Sequence, residues 1–431
     1  MAEALSHDVH IFGLDPFHHA QLNRMRDAER YRFHGLLPMQ EIVNAPVYDI
    51  DDLIYRSICE LEQSNGHVGG VTGYWDFPTS DLIPIVTNHF GLPGPSLEAV
   101  LKCEHKYWSR IEQRCVIPDA VPRFALIDPF ATAHEACPPL PYPFWLKPVR
   151  SHSSFLGFRV GNRREYRHAL QRIREQIGIV GEPFATIMRQ VDAPPEVEAA
   201  GSLTCIAEAI IGGRQCTVEG YAVDGEVTVL GVIDSIRGPN RTSFHRYEYP
   251  SRLPAVIQER VKEYSRRVIR HMGLDWSAFN IEYFYDDDRD HIWLLEVNPR
   301  ISQSHTEMFC LVDGAPNMQA IVQLAVGERP SLPYREGPFA VSAKFMVRSY
   351  RDGTVLRVPS CEDIERVEQH FPGTRVTLDV DAGTRLSGLA RQDGYSYELA
   401  QIYTGAEDTN ALLDRYNAIL RQLGFPLDIA P

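Results

Sequence analysis

The sequence has no pair of cysteines at the spacing of a metal or redox motif. Its eight cysteines are scattered singly, so we expect reduced structural thiols rather than a disulfide framework or a zinc site. It also has no apolar run approaching the roughly 18 residues of a membrane span, and its first residues lack a basic region followed by a long apolar run. We therefore expect a cytoplasmic protein that is not embedded in a membrane.

The sequence also has fewer positively than negatively charged residues. The chain has 43 lysines and arginines against 57 aspartates and glutamates, a formal net charge of -14. This balance argues against a general nucleic-acid or acidic-membrane binder. No Ser-His-Asp, Cys-His or G-x-S-x-G arrangement stands out, so catalysis by a protein nucleophile is not expected. We expect small-molecule partners, and a homodimer is left open.

The pattern of apolar residues divides the chain into four regions. Short apolar runs alternate with amphipathic segments at the start, which is typical of an α/β domain. The segment SLEAVLKCEHKYWSRIEQ predicts one helix, and the pair Asp224-Gly225 between alternating runs predicts a hairpin. Beyond Gly337 the pattern indicates a terminal α+β module. The predicted domains are residues 1–100, 101–200, 201–335 and 336–431.

The stretch IWLLEVNPR, residues 292–300, places polar groups on an apolar strand. Because side chains alternate, Glu296 and Asn298 should share a face with Leu294, roughly 6 to 7 Å apart along the strand. If Tyr285 lies opposite His291, Glu282 of the preceding strand faces Leu294 and lies diagonal to Glu296. Three oxygen ligands would then suit a hard cation such as magnesium. The equally weighted alternative is that Glu296 merely pairs with Arg300.

Five segments in order resemble the ATP-grasp superfamily. They are GLPGPSLEAVLKCEHKYWSR, PFWLKPVRSHSSFLGFRV, AEAIIGGRQCTVEGYAVDGEVTVLGVID, AFNIEYFY and LLEVNPRISQSHTEMF. Within that superfamily the similarity is closest to carboxylate-amine ligases of the L-amino-acid ligase type. The resemblance implies an N-terminal α/β pre-ATP-grasp domain, a two-lobed nucleotide-binding core with lid and metal lobes, and a small C-terminal α+β module.

The resemblance also implies roles for individual residues. ATP and Mg²⁺, with Mn²⁺ as a substitute, are the expected cofactors, and Arg300 would contact the transferring phosphoryl group. The metal ligands would be Glu282, Glu296 and Asn298. The nucleotide would be bound by Lys106, Lys147, Ser153, Ser154, Glu208, Ala209, Ile211 and Glu219. The loop with Ser153 and Ser154 departs from the family, whose members usually have glycines there.

The implied reaction has two steps. A carboxylate attacks the γ-phosphoryl group of ATP to give an acyl phosphate and ADP, and an amine then displaces phosphate. The alternatives are a biotin-carboxylase-like or other ATP-grasp enzyme with a different nucleophile, and a non-catalytic nucleotide-binding regulatory protein. The residues predicted to line the substrate pocket are Arg237, Arg241, His245, Ser304 and His305. For these a solvated basic loop and a structural histidine are the simpler interpretations.

Overall fold

The first hundred residues form a three-stranded parallel sheet flanked by helices. The structure, a computed structural model, describes residues 7–43, 45, 47–64, 68–132, 138–151, 155–389 and 395–430. The sheet has the order β2-β1-β3. Its strands are β1 His7–Phe12, β2 Tyr31–Leu36 and β3 Val68–Thr72, and the helices are α1 Pro16–Leu22, α2 Met39–Ile42, α3 Ile50–Glu62 and α4 Thr79–Phe90. The loop after β3 leaves the carboxyl edge of the sheet, where ligands of α/β domains commonly bind.

The segment predicted as one helix is two helices, α5 Leu97–Glu104 and α6 Lys106–Val116. The break falls at His105, whose backbone is extended, with ψ of 100°. The His105 ring accepts a hydrogen bond from the backbone N–H of Trp108 at 3.2 Å and so caps α6. The break also frees the N–H of Lys106 to bind the carbonyl of Val149 at 2.8 Å. A continuous helix would have used both donors internally.

The next part of the chain is a small lobe built on a four-stranded antiparallel sheet. The strand order is β4-β7-β5-β6. Its strands are β4 Phe124–Ile127, β5 Phe144–Pro148, β6 Phe158–Val160 and β7 Cys205–Ala209, with helices α7 Arg163–Gln176, α8 Gly178–Met188 and α9 Pro195–Ala200. Tyr166 and Leu170 of α7 pack against Phe144 and Leu146 of β5.

The rest of the chain is dominated by one eight-stranded sheet. The strands are β8 Arg214–Val223, β9 Glu226–Arg237, β10 Phe244–Tyr249, β11 Ser277–Asp286, β12 His291–Asn298, β13 Val341–Ser349, β15 Arg375–Leu378 and β16 Tyr397–Ala406. Their order is β12-β11-β8-β9-β10-β13-β16-β15, so strands before and after residue 336 share one sheet. A separate pair is formed by β14 Thr354–Val355 and β17 Ile429–Ala430. The predicted hairpin at Asp224-Gly225 is confirmed, since both residues have positive φ and join β8 to β9.

Helices cover this sheet in two places. The long helix α10 Ala255–Met272 packs on one face, where Val218, Ile281 and Leu294 form part of the largest core. The other helices of this region are α11 Thr306–Val312, α12 Met318–Ala325, α13 Cys361–His370 and α14 Thr409–Gln422. In the described residues no helix combines the length and apolar character needed to cross a membrane. The predicted mixture of α/β and α+β structure is confirmed.

Candidate active site

The face of the large sheet opposite α10 carries a row of polar side chains. On β8 and β11 the apolar residues alternate with polar ones, so Thr217 and Glu219 point away from the core, as do Asn280 and Glu282. The row continues across the sheet to Tyr247 on β10 and Lys344 on β13, which pair in register. A polar track therefore runs along one continuous surface from the predicted metal ligands to the last third of the chain.

The predicted register of β11 and β12 is wrong. Tyr285 pairs with Ile292 instead of His291, and Glu282 lies directly opposite Glu296 rather than Leu294. The register shifts between Glu282 and Tyr283, so β12 has one extra residue, a β-bulge at Leu295. The bulge turns Leu294 into the core under α10 and leaves Glu296 on the polar face.

Two carboxylates, those of Glu282 and Glu296, lie directly opposite each other on β11 and β12. Burial, and then the charge of Glu296, raises the pKa of Glu282 to about 7. Burial opposes ionisation of Glu296 too, but Lys106 and Lys147 outweigh it and lower its pKa. Gln215 binds one oxygen of Glu282 at 2.8 Å, and Lys106 binds one oxygen of Glu296 at 2.8 Å. Carboxylates opposite each other, about 5 Å apart between Cβ atoms, can share a divalent cation.

Asn298 belongs to a hydrogen-bonded network centred on Glu219. The amide of Asn298 donates to Asn280 at 3.3 Å, and Asn280 donates to Glu219 at 2.9 Å. Glu219 also accepts from the N–H of Ser302 at 2.9 Å and contacts Nδ1 of His305 at 2.8 Å. Glu219 is fully buried.

Asn280 was not predicted, although it alternates with Glu282 in AFNIEYFY. Across the described part of the chain, no three His, Cys, Asp or Glu side chains gather as a metal cluster. This site offers two carboxylates with neighbouring carboxamides instead, a set of oxygen donors that suits magnesium.

A second charged group binds the small lobe to the sheet. Glu208 on β7 accepts hydrogen bonds from Arg110 at 2.5 Å and Lys147 at 2.7 Å, and all three side chains are largely buried. Burial alone would raise the pKa of Glu208, but Arg110 and Lys147 lower it to about 2. Arg110 also donates to the carbonyls of Leu294 and Leu295. Arg110, which was not among the predicted site residues, thus satisfies the backbone carbonyls at the bulge.

The predicted phosphate-binding residues lie around these two groups. Lys106 donates to the carbonyl of Ser151 at 2.6 Å and also binds Glu296, so it lies between β12 and the end of β5. Arg300 pairs with Asp76, from the loop after β3, at 2.7 Å. The alternative pairing of Glu296 with Arg300 is therefore wrong.

Of the other residues predicted to contact the nucleotide, Ala209 and Ile211 lie near this site. Ala209 ends β7 and donates its N–H to the carbonyl of Arg123 at 2.8 Å, and Ile211 follows in the connection to β8. Ser153 and Ser154 lie outside the described residues, so their contact with phosphate remains a prediction.

The residues predicted to line the substrate pocket do not all lie together in the structure. Arg237 donates to Gln215 at 2.6 Å, whereas Arg241 is exposed in a turn with φ of 58°. The ring of His245 contacts Phe345 and Tyr416 on the core side of the C-terminal strands, away from the polar track, so its contact with a substrate stays a prediction. A bulge in β10 beside His245 turns it to that side.

Ser304 faces a cation that the sequence did not reveal. Its hydroxyl accepts a hydrogen bond from Nζ of Lys344 at 3.0 Å. Lys344 is only 6 % exposed and lies 5.5 Å from the centre of the Tyr403 ring. Burial lowers the pKa of Lys344, and none of the ion pairs of the described residues involves it. Nothing in the sequence around Lys344, a single lysine in a strand of alternating residues, indicates that its ammonium group is buried.

Comparison with known proteins identifies the class. Residues 140–307 match the model of the ATP-grasp domain family. The fold is similar to that of an L-amino acid ligase from Bacillus licheniformis, at 18 % identity and a TM-score of 0.70, covering 99 % of this chain and 98 % of that one. Residues 140–307 therefore match the ATP-grasp domain family, as the sequence motifs predict, and ATP and magnesium are typical of that family.

Two further comparisons show the range of its relatives. The biotin carboxylase domain of Hydrogenobacter thermophilus 2-oxoglutarate carboxylase, in complex with MgADP, ADP and bicarbonate, has a TM-score of 0.61 at 16 % identity, covering 98 % of this chain and 85 % of that one. Urea amidolyase from Lachancea kluyveri is 23 % identical over 344 residues, which is 76 % of this chain. The chain spans 17 % of that protein, and 26 % and 59 % of two other curated relatives.

Proposed function

We propose that this protein is an ATP-dependent ligase that activates a carboxylate as an acyl phosphate and joins it to an amine. The observation that carries the proposal is the single polar track, which links the carboxylate pair of β11 and β12 to the buried cation Lys344. In this proposal residues 1–100 form the pre-ATP-grasp domain, 101–200 the lid lobe, 201–335 the metal lobe and 336–431 a module that completes the substrate pocket.

The nucleotide end of the track is rich in cations. Lys106 and Lys147 supply positive charge next to Glu296 and Glu208, where the phosphates of ATP would lie. Glu282, Glu296 and Asn298 would hold magnesium. When bound, magnesium would neutralise phosphate oxygens as the γ-phosphoryl group transfers. Arg300, held by Asp76, would donate to the same oxygens through its planar guanidinium.

The substrate end of the track is suited to a carboxylate. A buried ammonium is costly unless an anion binds it directly. Among the described residues Lys344 has one hydrogen bond, to the hydroxyl of Ser304, and lies over the Tyr403 ring, while the carboxylates of Glu398 and Asp379 act on it only through their charge. A carboxylate beside Lys344 would complete the pairing. We therefore propose that Lys344 and Ser304 bind a carboxylate group of a substrate.

The two steps then balance without a protein nucleophile. A carboxylate oxygen of the first substrate bonds to the γ-phosphorus as the bond to the ADP oxygen breaks. The amine nitrogen next bonds to the carbonyl carbon, phosphate leaves, and the nitrogen loses a proton. The protein's contribution is to align the reactants and exclude water.

Replacement of Lys344 by methionine should raise the KM for the carboxylic acid by about 10- to 100-fold, because a hydrogen bond to a charged group is lost. The affinity for ADP should not change, since Lys344 lies at the far end of the track. The Lys344→Arg variant should recover part of the loss. Steady-state kinetics will show this, with Lys262→Met, a partly exposed lysine on α10 paired with Glu259, as the matched control. An unchanged KM would remove Lys344 from the substrate pocket.

The proposed reaction is tested by product analysis. The protein is incubated with ATP, magnesium and a panel of amino acids and small carboxylic acids, and the products are separated by mass spectrometry. We expect ADP, phosphate and an amide whose formation needs both an acid and an amine. AMP and pyrophosphate would contradict the acyl-phosphate route. Bicarbonate-dependent ADP release would indicate the carboxylating alternative.

A further inference from the structure

A neutral side chain lies between the predicted metal ligand Glu282 and the basic segment that follows β9. Gln215, on β8, is 6 % exposed, and its Nε2 donates to Oε2 of Glu282 at 2.8 Å. Its Oε1 accepts from NH2 of Arg237 at 2.6 Å. Because a guanidinium can only donate, the amide of Gln215 has one orientation that satisfies both neighbours. The Glu282 carboxylate therefore has a donor of defined position on one oxygen.

Arg237 is itself held on several sides. Its NH1 donates to the carbonyl of Thr242, and its guanidinium lies 4.6 Å from the centre of the Phe244 ring. The turn of residues 238–243 is closed by a hydrogen bond from the N–H of Gly238 to the carbonyl of Ser243 at 2.9 Å. The contacts form a chain from this turn through Arg237 and Gln215 to Glu282.

The chemical nature of Gln215 suits a supporting role at a cation site. A lysine or arginine bound directly to Glu282 would cancel the charge that a divalent cation needs. A carboxamide orients the carboxylate and leaves that charge intact, while the cation Arg237 stays one side chain further away. Residues that orient metal ligands in this way commonly change metal affinity when they are replaced.

We propose that Gln215, oriented by Arg237, is a positioning residue that fixes the Glu282 carboxylate for a divalent cation and links cation binding to the order of the turn at residues 238–243. The inference rests on the metal site of the proposed function. It adds a residue that contacts neither the cation nor a substrate.

The test is the affinity for Mn²⁺, measured on the full chain with saturating ADP by the loss of the free-ion electron paramagnetic resonance signal. The Gln215→Leu variant should bind Mn²⁺ about 10-fold more weakly or worse. The matched control is Gln171→Leu, the same change at an exposed glutamine on α7 that donates to Glu175 at 3.2 Å, away from the metal site. The control should stay within about twofold of wild type. If Gln215→Leu does not fold, Gln215→Asn, which is one methylene too short to reach Glu282, serves in its place.

A double-mutant cycle separates positioning from general loosening of the site. Arg237→Met should weaken Mn²⁺ binding, and the double variant with Gln215→Leu should bind no worse than Gln215→Leu alone, because both changes break the same chain of contacts. Additive losses would overturn the proposed link, as would wild-type affinity in both Gln215 variants. Wild-type protein without saturable Mn²⁺ binding would overturn the metal site of the proposed function itself.

Discussion

Replacement of Arg110 by methionine is expected to lower the free energy of unfolding by about 3 to 5 kcal/mol, the usual cost of removing one partner of a buried ion pair. Arg110 is 3 % exposed, and its loss leaves Glu208 with Lys147 alone and the carbonyls of Leu294 and Leu295 without their donor. Urea denaturation followed by circular dichroism measures the change. Arg172→Met, at a half-exposed ion pair with Glu175, is the control and should cost within about 0.5 kcal/mol. Equal losses of stability in both variants would mean that the buried ion pair of Arg110 with Glu208 has no special stabilising effect.

The same group predicts a pH dependence of stability. The folded-state pKa of Glu208 is about 2 against an ordinary value of 4.5, a difference of about 3 kcal/mol. Because the folded-state value is the lower one, this stabilisation is fully present above pH 4.5 and is lost as the pH falls toward 2. The stability difference between wild type and Glu208→Gln should therefore shrink by about half between pH 6 and pH 3. A difference that is constant over this range would refute the shifted pKa.

Replacement of Glu296 by glutamine is expected to reduce magnesium-dependent ADP formation by at least about 100-fold while the protein folds normally. Glutamine keeps the shape of the side chain but removes the charge that faces Glu282 and binds Lys106. Initial rates over a range of magnesium concentrations measure the effect, and circular dichroism checks the fold.

The control for this variant is Glu259→Gln, an exposed carboxylate on α10 that pairs with Lys262. Its turnover should equal that of wild type. A purified Glu296→Gln protein with near wild-type turnover would mean that the bond between Glu296 and Lys106 is only a structural ion pair.

The alternation of side chains predicted much of the site. It placed Glu296 and Asn298 on a common face and identified Glu282 on the neighbouring strand. It could not predict the register of β11 and β12, because a β-bulge inserts only one extra residue and barely changes the alternation of apolar and polar residues. Whether Leu294 or Leu295 enters the core depends on the fit of Leu294 and Val297 beneath α10, a packing choice made in three dimensions.

The sequence by itself determined the elements of this protein: apolar strands that carry carboxylates and carboxamides, an excess of acidic residues, and ordered motifs that resemble the ATP-grasp superfamily. Only the tertiary structure decided which charged side chains form ion pairs. Arg300 lies four residues from Glu296 along the chain, yet it pairs with Asp76, while Glu296 pairs with Lys106 from a distant helix. The reason is that the energy of a charge pair depends on separation in space and on burial, neither of which the order of residues records.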